Sequence, residues 1–243
     1  MSEKDWFASW FDTSYYHILY DHRNEDEAIL FIQKLIQHLK LQSGSHVLDL
    51  ACGKGRHART LHTFGLNVLG TDLSPQSIEF AEQFATDGLQ FQVQDMRETL
   101  PNVCFDAIFN LFTSFGYFDV IEDNRKVIAS VHEMLAKQGV FVIDFLNPTL
   151  VKNTLVPEEV IEKQGITFHI HRKIEAGFVV KHIDFVDQGK TFHFEEKVQL
   201  FGLKDFQQML EGLFTIQAVF GDYHLNPYHE NESKRLLLIA EKI

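Results

Sequence analysis

Two glycines and two acidic residues are spaced as in a ligand site built on a parallel sheet. Gly53 and Gly55 follow the apolar run HVLDL, which is typical of a buried parallel strand. The turn leads into a helix whose first N–H groups can meet a polar or anionic group. Asp49 lies inside the strand, where a carboxylate needs a partner such as a ligand ammonium or a turn N–H. Asp72 ends the next predicted strand, where an acid can accept both hydroxyls of a ribose.

The glycine turn alone does not identify the ligand. Gly53, Gly55 and Ala58 also satisfy the G-x-G-x-x-G/A pattern of dinucleotide-binding enzymes. An NAD fingerprint usually has an apolar or small residue where this chain has Asp49. Cys52, inside the turn, is interpreted as a structural residue rather than a nucleophile.

Four stretches together, VLDLACGKGRHA, GTDLS, VQDMR and FDAIFNLFTSFGYF, resemble the motif series of class I S-adenosylmethionine-dependent methyltransferases. The resemblance is close over residues 44–147 and looser towards the C-terminus. It implies an α/β fold: a Rossmann-like, mostly parallel seven-stranded sheet with an antiparallel final strand and helices on both faces. It also implies S-adenosylmethionine as the cofactor.

The resemblance implies cofactor contacts at the strand ends. In the family, an acid after the third strand accepts from the adenine amino group and the next residue packs on the ring; Asp95 and Met96 have these positions. A loop-capping Asp and a core Met are the alternative. The cofactor-binding set implied is Asp49, Ala51, Gly53, Gly55, Asp72, Leu73, Ser74, Asp95, Met96, Asn110, Leu111, Phe112, Tyr16 and Arg23.

The N-terminal stretch WFASWFDTSYYHILY is rich in aromatic residues and also polar. These methyltransferases often close their site with such a segment, so one interpretation is a lid over the cofactor. A helix that simply packs on the body is the other. Arg23 can meet the cofactor carboxylate through a charge-assisted bond, or it is a solvated surface residue.

Methyl transfer requires an acceptor lone pair, and hence a deprotonated amine or hydroxyl. The catalytic residue is not identified by the sequence; the candidates are Tyr16, His17, Tyr117, His224 and Tyr228. The aromatic run after the fourth strand resembles that of sugar and glycine N-methyltransferases and lacks the Asn/Asp-Pro-Pro-Tyr tetrad of base-modifying enzymes. The leading hypothesis is a methyltransferase acting on a small-molecule amine or hydroxyl. A catalytically silent S-adenosylmethionine-binding regulatory protein and a nicotinamide dehydrogenase remain as alternatives.

The runs ITFHIHRKI, FVVKHIDFV and TFHFEEKVQLF alternate with a period of two. They predict an insertion of about three antiparallel strands, directly after the fifth strand and without a helix before it. Its role is a substrate cover or a dimer surface. The insertion's four histidines allow a metal hypothesis, but solvated side chains on an exposed face are favoured, and we predict no metal dependence. These residues are His169, His171, His182 and His193.

The chain of 243 residues divides into an N-terminal lid and cover helix (1–43), the cofactor-binding core (44–147), the insertion (148–201) and a completion of the core sheet (202–243). A net charge of −12 argues against a nucleic-acid or anionic-membrane surface. Cys52 and Cys104 lack metal-ligand spacing. We expect a reduced, cytoplasmic protein with no signal peptide, no membrane span and a small-molecule substrate, and a homodimer is possible.

Overall fold

The computed structural model describes residues 6–20 and 25–243, so His22 and Arg23 lie outside the described residues. The helices are α1 (Trp6–Trp10), α2 (Ser14–Leu19), α3 (Glu25–Leu39), α4 (Arg56–Thr63), α5 (Pro75–Glu82), α6 (Ile121–Met134), α7 (Pro148–Thr154) and α8 (Leu203–Leu210). The strands are β1 (His46–Leu50), β2 (Asn67–Asp72), β3 (Leu89–Val93), β4 (Phe105–Asn110), β5 (Leu135–Leu146), β6 (Glu158–Lys163), β7 (Ile166–Glu175), β8 (Phe178–Asp187), β9 (Lys190–Gln199), β10 (Phe214–Phe220) and β11 (Arg235–Lys242).

Seven strands form the main sheet in the order β10-β11-β5-β4-β1-β2-β3. Strand β1 pairs in parallel with β2 and β4, and β11 runs antiparallel to both β5 and β10. The order reverses on either side of β1, which places the carboxyl ends of β1, β2 and β4 at one edge. Ligands of open α/β sheets bind at such an edge. The predicted fold class is confirmed.

Helices cover both faces of this sheet, as the buried parallel strands require. On one face α6 and α8 pack their apolar sides, including Val127, Val131 and Phe206, against the sheet. On the other face α3, α4 and α5 do the same, with Ile32 and Leu61 in their cluster. Each such side chain contributes roughly 1.5–3 kcal/mol by leaving water, so the sheet edge that carries the ligand residues rests on a rigid core.

The insertion is a separate four-stranded antiparallel sheet in the order β6-β7-β8-β9. The predicted alternation is confirmed: Ile166, Phe168 and Ile170 are buried while His169 and His171 are exposed. Two predictions were wrong here. There are four strands rather than three, because the charged edge strand EEVIEK of β6 shows no apolar alternation. A helix, α7, does precede the strands, with the Asn147 side chain accepting from the N–H of Thr149 and Pro148 in the first turn.

The sequence also predicts that Gly139 ends the helix before the fifth strand and that this strand begins at Val140; both predictions were wrong. Helix α6 ends at Met134 and β5 begins at once with Leu135, which pairs with Phe105. The register between β4 and β5 then shifts, so residues between Leu135 and Val140 form an irregularity within the strand. Such a shift depends on the partner strand and has no local signature.

Three of the insertion's four histidines, His171, His182 and His193, pair with carboxylates of neighbouring strands. His171 lies 3.8 Å from Glu158, and His193 lies 2.5 Å from Asp184. Within residues 6–20 and 25–243, no three His, Cys, Asp or Glu side chains converge so as to hold a metal ion. Metal independence stays a prediction, which turnover in the presence of a chelator tests. None of the described helices is long and apolar enough to cross a membrane.

The two glycines of the turn after β1 should differ sharply in their tolerance of a side chain. Both have positive φ, 55° for Gly53 and 76° for Gly55, but a Cβ on Gly55 would lie 2.6 Å from the ring of Phe91, whereas one on Gly53 would meet nothing within 4 Å. We expect Gly55→Ala to lower the free energy of unfolding by roughly 2–4 kcal/mol, from backbone strain plus overpacking. Gly53→Ala should cost about 1 kcal/mol, from backbone strain alone. Urea unfolding of both variants checks this; equal losses would contradict the assigned role of Phe91.

Candidate active site

A cavity of about 730 Å³ opens at the carboxyl edge of the main sheet. Its floor comes from the turn after β1 and the end of β2. Its other walls come from the loop after β4, from the N-terminal helices, from β9 and from the start of β11. The cavity lining includes Tyr16, His17, Tyr20, Ala51, Gly53, Asp72, Leu111, Phe112, Thr113, Tyr117, Glu196 and Arg235.

Asp72 is fixed at the end of β2 by backbone N–H groups. Its Oδ2 accepts from the N–H of Gly53 at 2.8 Å, and its Oδ1 accepts from the N–H of Ser74 at 2.9 Å. Burial raises the pKa of this carboxyl, and the two amides oppose that rise. Each oxygen keeps a further lone pair. The carboxyl therefore lines the cavity in a fixed orientation and can accept from a pair of ligand hydroxyls.

Asp49 lies in β1, just before the glycine turn and outside the cavity lining. Its side chain is 1% exposed, and its Oδ2 has no hydrogen-bond partner among the described residues. Burial raises the pKa of Asp49 to about 7, against the N–H of Ala58, and the charge of Asp72 raises it further. A buried carboxylate oxygen without a partner is costly. It is therefore suited to a nearby cationic ligand group, although Asp49 does not line the cavity.

Asn110 repeats this situation at the end of β4. Its Nδ2 donates to the carbonyl of Leu50 at 3.1 Å and ties β4 to β1, while its Oδ1 has no partner in the described part of the chain. Two unpartnered acceptor oxygens, on Asp49 and Asn110, thus lie under the same turn. The oxygens of Asp49 and Asn110 can accept from a cationic group of a cofactor, and Asp72, which lines the cavity, can accept from the hydroxyls of its ribose.

A smaller pocket adjoins the cavity and holds the residues predicted to surround the adenine. Leu73, Ser74, Asp95 and Met96 all line it. Burial disfavours the charged form of Asp95, but its hydrogen bonds with Arg97 outweigh this and lower its pKa. The guanidinium of Arg97 donates to Oδ2 of Asp95 at 2.6 Å. Asp95 is therefore an ionised acceptor beside an apolar surface, which suits an amino-bearing aromatic ring.

The N-terminal segment roofs the cavity and is attached to both sheets. Trp10 is fully buried, and its Nε1 donates to Glu196 at 2.7 Å; the hydroxyl of Tyr20 donates to the same carboxylate. Asp12 accepts from the Ser74 hydroxyl at 2.7 Å and from the N–H of Gln76 at 3.1 Å, at the start of α5. The segment thus lines the cavity and packs on the body, and its role as a lid over the cofactor stays a prediction.

The structure brings most of the predicted site residues to one edge, but not all of them. Gly55 does not line the cavity: the space beside its Cα is filled by Phe91 rather than left open for a ligand. His224 and Tyr228 lie on the β10–β11 connection and line neither pocket. Tyr16, His17 and Tyr117 line the cavity, but the Tyr117 hydroxyl already donates to the Thr113 carbonyl at 2.5 Å. Arg23 lies outside the described residues.

Several residues of the site escaped the sequence analysis. Asp144 lies two residues before the end of β5, whereas Asp72 is the last residue of β2, so the strand-end rule that selected Asp72 did not select Asp144. Glu196 lies in the alternating run of β9, and whether its side chain faces the cavity depends on the strand register, which the sequence does not show. Tyr20 and Arg235 show no local signal, because their partners are far away in sequence.

The raised pKa of Asp49 leads to a stability prediction. Since the folded-state pKa of about 7 lies above the unfolded value of about 4, the unfolded chain loses its proton first, and the wild type loses stability as the pH rises from about 4 to about 7. Asp49→Asn has no charge to bury. We expect the variant to equal the wild type near pH 4 and to exceed it above pH 7 by at most about 4 kcal/mol.

Urea unfolding of the unliganded protein at several pH values measures this difference. Asp87→Asn, which removes the charge of an exposed loop residue, is the matched control and should show no such pH dependence. A stability difference for Asp49→Asn that stays constant between pH 4 and 8 would contradict the prediction.

Comparison with known proteins agrees with the geometry. The family model of the methyltransferase domain matches residues 41–189. A dTDP-3-amino-3,4,6-trideoxy-alpha-D-glucopyranose N,N-dimethyltransferase of Streptomyces venezuelae is 28% identical over 184 residues, which are 74% of this chain and 77% of that protein. A glycine/sarcosine N-methyltransferase of Aphanothece halophytica is 26% identical over 235 residues, 90% of this chain and 83% of that protein.

A solved structure of an S-adenosylmethionine-dependent methyltransferase from Clostridium acetobutylicum ATCC 824 has a TM-score of 0.79 and 22% identity, and the alignment covers 94% of this chain and 96% of that one. At that identity the likeness concerns the fold. The family model, by contrast, spans more than half of the chain and includes the glycine turn, Asp72 and Asp95. The chain therefore belongs to the methyltransferase-domain family, and it is an S-adenosylmethionine-dependent methyltransferase.

Proposed function

We propose that this methyltransferase acts on a small-molecule amine. The observation that carries the proposal is the Glu196 carboxylate, which lines the cavity on the wall formed by β9, whereas the cofactor residues Gly53 and Asp72 line the floor. The rings of Tyr16 and Tyr20 line the same cavity. A carboxylate beside aromatic faces attracts an ammonium group.

The residues of the floor would hold the cofactor. Asp72 would accept from the ribose hydroxyls, Asp95 and Met96 would meet the adenine, and the charge of Asp49 would favour the ammonium of the amino-acid part. When bound, S-adenosylmethionine supplies a methyl group on a positively charged sulfur. The roof formed by α1 and α2 keeps water from the cavity and limits the orientations open to the acceptor, which is the main contribution of a protein to such a displacement.

An amine acceptor must lose its ammonium proton before it can react. Asp72 is engaged with the amides of Gly53 and Ser74, which leaves Glu196 as the carboxylate on the acceptor wall. Its oxygens accept from Trp10 and Tyr20, and Lys181 lies 3.4 Å from Oε2. These contacts hold the carboxylate in place. Glu196 would bind the ammonium and accept its proton, and Tyr16 and His17 remain as further candidates.

The two named relatives support an amine over a hydroxyl acceptor. By name, one is an N,N-dimethyltransferase for an amino sugar linked to dTDP and the other is an N-methyltransferase for glycine and sarcosine. In this proposal residues 148–201, the N-terminal segment and the loop after β4 form the acceptor half of the site, and the rest of residues 44–147 forms the cofactor half. A homodimer stays a prediction.

Cofactor binding is tested first with Asp72→Asn. Loss of the negative charge weakens the hydrogen bonds to the ribose hydroxyls, so we expect affinity for S-adenosylhomocysteine to fall roughly 10–100-fold in calorimetric titration. Asp87→Asn makes the same change at an exposed site and should bind as the wild type does. An Asp72→Asn variant with unchanged affinity would remove Asp72 from the cofactor site.

Acceptor chemistry is tested by incubating the protein with S-adenosylmethionine and a panel of primary and secondary amines, among them glycine, sarcosine and amino sugars, beside their hydroxyl analogues. We expect transfer to nitrogen. Glu196→Gln should lower kcat/KM about 100-fold, and most strongly at low pH, where more of the amine is protonated.

Glu195→Gln is the matched control, because Glu195 neighbours Glu196 on β9 but points to the outer face, 3.6 Å from His182. It should leave kcat/KM unchanged. Thermal unfolding and S-adenosylhomocysteine affinity of both variants show that the roof is intact. Transfer to hydroxyls alone, or to no member of the panel, would overturn the proposal.

A further inference from the structure

The loop after β4 has an unusual backbone at the cavity wall. Phe112 and Thr113 are consecutive non-glycine residues with φ values of 63° and 61°. A non-glycine residue in this region costs on the order of 1–3 kcal/mol and persists only where its surroundings enforce it. Both residues line the cavity, together with Tyr117 from the same loop. The strain is therefore located where the acceptor wall is formed.

One residue, Asp144, accepts from both N–H groups of the strained segment. The N–H of Phe112 donates to Oδ2 of Asp144 at 2.8 Å, and the N–H of Thr113 donates to the backbone carbonyl of Asp144 at 2.9 Å. The carboxylate of Asp144 thus binds the loop at Phe112, and its backbone binds the loop at Thr113. Asp144 is 1% exposed, so this contact lies inside the protein.

Arg235 completes the arrangement from the first position of β11. Its Nε donates to Oδ1 of Asp144 at 2.7 Å, and its Nη2 donates to the hydroxyl oxygen of Thr113 at 2.8 Å. Tyr223 donates to Oδ2 of Asp144 at 3.1 Å, and Tyr117 donates to the Thr113 carbonyl. Every polar group of Thr113 is thus bound to Asp144, Arg235 or Tyr117.

Stability alone does not explain this ion pair. A buried ion pair is often no more stabilising than apolar side chains of the same volume. Asp144 and Arg235 instead bind a loop segment in which two consecutive non-glycine residues have positive φ, and Arg235 itself lines the cavity. We propose that Asp144 and Arg235 are positioning residues for methyl transfer, which hold Phe112 and Thr113 in the left-handed conformation that sets the acceptor wall.

The first test follows the loop itself and needs no acceptor. In Asp144→Asn the charge-assisted bonds are weakened, so amide hydrogen exchange in peptides covering residues 111–117 should become roughly 10–100-fold faster. Exchange in residues 236–240 should not change. Leu238→Val, which trims a buried side chain of β11 without removing a polar contact, is the control for a general loss of stability. Unchanged exchange at 111–117 in Asp144→Asn would overturn the proposal.

The second test isolates the hydrogen bond from Arg235 to the hydroxyl oxygen of Thr113. Thr113→Ala removes the oxygen that accepts from Nη2, whereas Thr113→Ser keeps it. We expect faster exchange of the loop in Thr113→Ala and in Arg235→Lys, with Thr113→Ser close to the wild type. The effects of Thr113→Ala and Asp144→Asn should be less than additive, because both loosen one network. Equal exchange in Thr113→Ala and Thr113→Ser would exclude Arg235 from the positioning role.

The catalytic part of the proposal rests on the methyl transfer proposed above. With an acceptor identified in the panel, Asp144→Asn and Arg235→Lys should lower kcat about tenfold or more. Their affinity for S-adenosylhomocysteine should stay within about threefold of the wild type, since the charge-assisted bonds they weaken lie on the loop rather than on the ribose acid. A loosened loop with unchanged kcat would contradict the catalytic role. A panel without any accepted amine would refute the proposed function and leave the exchange tests to decide the structural role.

Discussion

The hydrogen bonds of Asp72 with two backbone amides are the contact on which the site depends. One amide, of Gly53, belongs to the turn after β1, and the other, of Ser74, belongs to the start of α5. A single carboxylate therefore fixes the turn, the end of β2 and the cap of the next helix relative to one another. Asp12 then binds the same Ser74 from the N-terminal segment. The N-terminal segment above the cavity is thus linked, through Ser74, to Asp72 on the cavity floor.

Asp49 and Asp72 place two carboxyl groups in the protein interior, where burial disfavours their charged forms. Burial raises the pKa of both Asp49 and Asp72, and a neighbouring carboxylate raises each further: Asp72 acts on Asp49, and Asp12 acts on Asp72. Such a site costs stability in the absence of a ligand and regains it when a cationic ligand binds. A methyltransferase cofactor has an ammonium and a sulfonium, so the same repulsion that destabilises the empty site favours this cofactor over a neutral or anionic nucleotide.

The sequence predicted which residues of the proposed cofactor half lie together at one sheet edge, because its signals are local; their contacts with the cofactor stay a prediction. A buried strand, a glycine turn and an acid at the next strand end lie within about 25 residues of one another, and the order of parallel strands brings them to one edge. The role of Gly55 was less predictable, since it depends on Phe91, which β3 brings beside the turn. Strand β6 was missed because an exposed edge strand needs no apolar alternation. Arg235 could not be predicted, because its partner Asp144 is 91 positions away in sequence.

The proposed acceptor half is built from these long-range contacts, and this explains why the sequence left the acceptor open. Its walls come from α1 and α2, from β9 and from β11, and each is attached by a polar contact that spans the fold: Trp10 to Glu196, and Arg235 to Thr113. A change in any of these elements can reshape the acceptor wall without touching Asp72 or the glycine turn. Acceptor specificity can therefore vary among proteins that keep the same cofactor motifs. Within this chain, the side chains that determine the acceptor are to be sought on β9, on β11 and in the loop after β4 rather than in the motif series.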